Sequence, residues 1–258
     1  MLQGATLAQA GIDAAAIKPA EVEVERAADL AVDTLAVDYE GREHLPSPAT
    51  LSTLAEDKSV RVTTPVRADG FDPLGDSELA EALPESVRRV LVAGHSAYLT
   101  DSEHERAVAP RLREAAAASH DPWVGTEGIE RIALAVGGTQ FELLGPATAR
   151  RLRALRAAGY EGEIALYAPT VLTDEEDAVL DALGAYAARR GPVRSALPDG
   201  AATDAAADGR AREVLSQAVR DYGLVGGVET VADRVDELRD AGADRIVGYP
   251  ARGLDPFL

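Results

Sequence analysis

The chain has 258 residues, with Lys+Arg 26 against Asp+Glu 44 and a formal net charge of -18. That balance argues against nucleic-acid or anionic-membrane binding, since both need a basic surface. There is no cysteine, which excludes disulfides, thiolate catalysis and cysteine metal sites.

Acidic residues are spread along the whole chain, and Lys18 and Lys58 are the only lysines. This suits a solvated acidic surface of the kind halophilic proteins carry; an ordinary acidic cytosolic protein is the alternative. No apolar run approaches the roughly 20 residues that span a bilayer. Met1 to Ala10 lacks a charged start and a long apolar stretch, so it does not read as a signal peptide. A cytoplasmic location is expected.

Gly11 to Pro19 holds a candidate first strand around Ile12 to Ile17. Glu21 to Ala31 reads as a helix, and Thr34 to Val37 as a short apolar strand. Asp38, Glu40 and His44 follow it and read as a solvated acidic loop. Pro48 to Ala55 suits a short helix, and Val60 to Val66 a strand stopped by Pro65, which has no amide donor. Phe71 to Gly75 reads as a loop. Val87 to Ala93 is a continuous apolar run, suited to a strand buried on both faces. It leaves through Gly94, His95 and Ser96.

Thr100 and Glu103 form a capping-box pattern, predicting a helix to about Ser119 that Pro110 kinks or splits. Asp121 to Gly128 reads as a loop around Trp123. Ile132 to Val136 reads as a strand ending at Gly137, Gly138 and Thr139. A helix from Pro146 stops at Gly159. Glu163 to Tyr167 is the next strand, and Thr173 with Glu176 opens a further helix to about Arg190. Pro192 to Gly209 is poor in apolar mass and reads as a mobile surface segment. Arg212 to Arg220 is helical.

The closing unit is the most regular. Gly226 and Gly227 open a helix whose Val231, Val235 and Leu238 share one face. Gly242 stands where a left-handed cap is wanted, and Arg245 to Tyr249 is a last strand. Six strands, and a seventh at the start, alternate with helices, which means βα units and a parallel sheet. No linker divides the chain, so residues 1–258 read as a single (β/α) barrel domain. A Rossmann-like sheet would want G-x-G-x-x-G after an early strand, and none is present.

The closing unit resembles the bacterial-luciferase-like (luciferase-like monooxygenase) superfamily, nearest to its coenzyme F-420-dependent methylenetetrahydromethanopterin reductase branch. The matching residues are Val225-Gly226, Glu229, Val231, Arg234, Ala241 to Asp244, and Gly248-Tyr249-Pro250. Ala27 to Val37 is similar to the family's first helix and second strand, and Ile132 to Thr139 to its Gly-Gly phosphate turn. The resemblance implies a (β/α)8 TIM-barrel fold, here shortened and lacking the usual covering insertion. It implies an oxidoreductase moving a hydride with F-420 or, second, FMN. The partners expected are a small-molecule substrate and a second copy of the chain in a homodimer. A barrel that binds a ligand or partner without catalysis is the alternative.

In a parallel barrel, function sits at the carboxyl ends of the strands. The site residues expected are therefore those leaving each strand. Gly137, Gly138 and Thr139 would let backbone amides approach a phosphate; a tight turn needing glycine is the alternative. Gly226 and Gly227 are a second such turn. His95, beside Gly94 and Ser96, would hydrogen-bond a flavin or act as an acid near neutral pH. Thr64 stands beside Thr63 and Pro65 where the family places a backbone kink under the cofactor ring. No metal motif, nucleophile elbow or P-loop is present. The few aromatics offer no evident stacking platform.

Overall fold

The computed structural model describes residues 6–66, 78–93, 107–125 and 134–258. Its strands are β1 Ala14–Ile17, β2 Thr34–Val37, β3 Ser59–Pro65, β4 Arg88–Val92, β5 Trp123–Gly125, β6 Thr139–Leu143, β7 Ile164–Val171, β8 Leu224–Val225 and β9 Arg245–Pro250. Each of β1 to β6 pairs in parallel with the next, and β6 pairs with β7, Gln140 opposite Ile164. β7 pairs with β9, and β9 with β1, Val247 opposite Ala14. The ring is therefore a closed eight-stranded parallel barrel, as the sequence implied. The short β8 stands outside the ring and pairs only with the upper end of β7, Leu224 opposite Thr170.

The helices are α1 Pro48–Asp57, α2 Glu78–Ala82, α3 Val108–Ala117, α4 Thr148–Ala157, α5 Glu176–Ala188, α6 Gly191–Ala196, α7 Gly209–Tyr222 and α8 Val228–Ala241. They cover the outer face of the sheet. Ile17, Leu35, Val62, Ile164, Leu166 and Ile246 point outward and pack in one cluster with Leu51, Leu152, Val231, Val235 and Leu238. Burial of each such side chain contributes about 1.5–3 kcal/mol, so this shell is the main source of stability. α8 buries the face its spacing predicted. The polypeptide ends of the barrel are tied by Arg239, which donates to Gly11 O and Asp13 at 2.8 Å, while Asp13 accepts the Ile246 amide at 2.7 Å.

Several sequence expectations change. Glu21 to Ala31 contains a 3-10 helix over Val24–Asp29, not a full α-helix. Thr100 and Glu103 lie outside the described residues; Pro110 falls in the first turn of α3, where no intrahelical amide donor is needed. Trp123 belongs to β5, not to a loop. The Thr173 hydroxyl accepts the Glu175 amide, and α5 starts at Glu176 without a side-chain cap. Pro192 to Gly209 is no loose segment: it holds most of α6, and Val193 and Ala207 are buried against α5 and α7. The Thr203 carbonyl lies so close to Gly184 that a Cβ there would be 2.2 Å away.

The largest correction concerns β6. Residues 134–136 are helical and the strand is Thr139–Leu143. Gln140 and Glu142 are buried on its outer face while Phe141 points into the barrel. Two buried polar residues hid a strand whose period is two.

Candidate functional site at the barrel mouth

The barrel interior is lined by small side chains on one side and by aromatic ones on the other. Ala14, Ala16 and Ala36 face inward from β1 and β2. The space they leave is filled by a ladder of rings from β5, β6, β7 and β9. Trp123 stacks on Phe141 with centroids 5.6 Å apart, Phe141 meets Tyr167 edge-on at 5.9 Å, and Tyr167 stacks on Tyr249 at 6.3 Å. The four rings are buried, so the ladder is packing of the barrel interior. Its four members come from four distant segments.

The amino-terminal end of the ladder is closed by ion pairs. The Arg61 guanidinium lies 4.4 Å from the Trp123 ring centroid and donates to Asp121 at 2.8 Å. Arg88 reaches the same carboxylate at 3.2 Å, and Arg245 pairs with Glu163 at 3.3 Å. Burial lowers the Arg61 pKa, and Asp121 opposes that shift.

The carboxyl end carries a different set of groups. Tyr249, at the end of β9, donates its hydroxyl to Glu21, which follows β1. Lys18 stands 4.3 Å from the Tyr249 ring centroid and 3.3 Å from Glu21. Glu40 accepts the Ala20 amide at 2.9 Å. The inward Thr63 of β3 accepts the Tyr39 amide at 2.6 Å. Asp38, the first residue past β2, sits among them. Burial of its carboxyl group, with Glu40 and Glu21 nearby, pushes its pKa up to about 7 against the pull of Lys18. Burial also raises the Tyr167 and Tyr249 hydroxyls. Asp38 is thus not the solvated acid expected of that loop. A carboxyl group poised near neutral pH at a strand end can both give and take a proton.

The expected site residues are scattered by the fold. Gly137 and Gly138 precede β6, so they lie at the amino end of the barrel, opposite the mouth. A Cβ on Gly138 would stand 2.8 Å from the Pro122 carbonyl, and its φ is +81, which accounts for glycine as a turn requirement. Thr139 opens β6 at the same end, with its hydroxyl 3.5 Å from Glu163. Thr64 points outward, donating to Val62 O and accepting from Arg89. β3 pairs in unbroken register with β4 through Pro65, without the expected kink. Gly94, His95 and Ser96 lie outside the described residues, as does much of the stretch where the covering insertion was sought.

Gly226 and Gly227 do lie at the carboxyl end, between β8 and α8. Their turn already holds an anion, because the Gly227 amide donates to Asp174 at 3.0 Å. The described residues therefore offer no open phosphate cradle at the mouth. Sequence reading missed Lys18, Glu21, Tyr167 and Tyr249. Tyr249 at the end of the last strand was the available signal.

A closed parallel barrel with ionisable groups gathered at its strand ends places the chain among the TIM-barrel proteins. The chain belongs to the family described as "Family of unknown function (DUF7388)", whose model matches residues 7–257. Among solved structures it is similar to an F420-dependent secondary alcohol dehydrogenase in complex with an F420-acetone adduct. That likeness has a TM-score of 0.61 at 12% identity and covers 95% of this chain and 96% of that one. It shows a shared fold. No curated protein matches the sequence. Among the described residues no helix is long and apolar enough to cross a membrane, and no cluster could hold a metal ion.

Proposed function

We propose that the barrel mouth is the working site of a small-molecule enzyme in which Asp38 moves a proton. The observation that carries this reading is the place of the half-buried Asp38 at the end of β2, gathered at the mouth with Lys18, Glu21, Glu40 and Tyr249, where desolvation pushes its carboxyl pKa up to about 7. Half protonated near neutrality, it can deliver a proton to a substrate oxygen or remove one from a hydroxyl. Lys18 and Glu21 follow the adjoining strand β1, and Tyr249 ends β9 beside it.

The likeness to an F420-dependent dehydrogenase supports an oxidoreductase, with F-420 ahead of FMN as the cofactor. The fit is incomplete. Neither Gly-Gly turn offers its amides to a phosphate at the mouth. The alternative is a barrel that binds a ligand without catalysis. The ring ladder that fills the barrel axis favours it.

Titration of the purified protein with F-420 and with FMN, followed by absorbance and fluorescence, separates the two. Uptake of either, with turnover of small alcohols or carbonyls that Asp38→Asn abolishes, supports the enzyme. A protein that takes up neither and turns over nothing is a binding barrel.

A further inference from the structure

We infer that Asp174 occupies the anion position at the start of α8, and that the ligand of this barrel carries no phosphate there. α8 is a 14-residue helix that begins directly behind Gly226 and Gly227. Its N-terminus presents free amides and the positive end of the helix dipole, the usual means of holding a phosphate. In this chain the segment that follows β7 supplies the anion. β8 holds the turn against β7 through the Gly226 amide, which donates to Val171 O at 3.2 Å. The segment leaving β7 then brings Asp174 onto the glycines. Its Oδ1 accepts from the Gly227 amide at 3.0 Å. A Cβ built on Gly227 would lie 3.1 Å from Asp174 Oδ2, and one on Gly226 3.6 Å from Oδ1. The carboxylate thus covers the backbone face that a phosphate would have to reach.

The mouth carries a second, independent observation. Among the described residues Glu21 and Glu40 act on Asp38 from nearby, and Lys18, 3.3 Å from Glu21, opposes them. Among the described residues, carboxylates gathered there disfavour an anion beside Asp38. Both features disfavour an anionic group at these two places. The second observation rests on the mouth being the working site; the Asp174 contact does not.

Inorganic phosphate is the probe. Thermal melting and phosphorus NMR line widths are followed across a phosphate titration, with potassium chloride holding ionic strength constant. Three proteins are compared: wild type, Asp174→Ala, and Asp174→Ser, which keeps a hydroxyl to cap the helix. Wild type should show no saturable response. Both variants should bind at least about tenfold more tightly, since a carboxylate no longer competes for the amides. Melts without phosphate establish that the serine variant is folded. Saturable wild-type binding that neither variant improves overturns the inference. Absence of binding in all three overturns it too, because Asp174 would then be a helix cap and not an anion's replacement. The Asp38 reading fails or stands separately, on turnover.

Discussion

The Tyr249 hydroxyl donates to the Glu21 carboxylate at the barrel mouth, linking the last strand to the segment behind the adjoining first strand. The contact brings together residues 228 positions apart in sequence. It also sets a carboxylate beside Asp38, contributing to that residue's raised pKa.

Tyr249→Phe should remove this donor and keep the ring stacked on Tyr167. A hydrogen bond to a charged acceptor is worth about 1.5–3 kcal/mol, reduced here because the Glu21 side chain is 47% exposed. A loss of about 1 kcal/mol is expected in urea unfolding. A loss above about 3 kcal/mol would mean that the ring packing, not the hydroxyl, has been disturbed.

Asp38→Asn should change how stability depends on pH. The folded pKa of about 7 lies above the unfolded value of about 3.9. Between those values the native state binds more protons than the unfolded state. The contribution of Asp38 to stability therefore falls as pH rises through this window and levels off about one unit above the folded pKa of about 7. The variant should melt several degrees higher than wild type at pH 8 and nearly level with it at pH 4. Parallel melting curves at both pH values would place the Asp38 carboxyl group in water.

Gly138→Ala should damage the fold and leave any ligand bound at the mouth unaffected. The residue adopts φ +81, and an added Cβ would sit 2.8 Å from the Pro122 carbonyl, a backbone atom that cannot turn aside. Strain of about 1–3 kcal/mol is expected, seen as a lower melting temperature. Gly138→Asp, the change that a phosphate turn would suggest, should destabilise for the same reason. Loss of ligand binding with a normal melt would return these glycines to the binding site.

Salt should stabilise the protein. A net charge of -18 spread over the surface repels itself, and added ions screen that repulsion. The melting temperature should climb between dilute buffer and molar potassium chloride. A flat response would leave an acidic protein without a halophilic surface.

The parts of the barrel legible in the amino-acid order were those built from local pattern. The apolar runs of β2, β3, β4, β7 and β9 and the stripe of α8 are each set by spacing within one segment, and strands alternating with helices implied a parallel ring. The strands that escaped are β5, three residues long, β6, whose outer face buries Gln140 and Glu142, and the two-residue β8. Their strand character comes from neighbours, not from their own composition. The site was less visible still. Asp38 is an ordinary acid in sequence, and its proton affinity comes from burial beside Glu40 and Glu21 with Tyr249 brought over from β9. Gly137 and Gly226 look alike along the chain. Which end of a strand each adjoins depends on strand boundaries, and whether a carboxylate such as Asp174 already holds the turn depends on closure of the barrel. Proton affinity and access at this mouth are set by tertiary packing, because both depend on the distances between side chains that only the closed ring brings together.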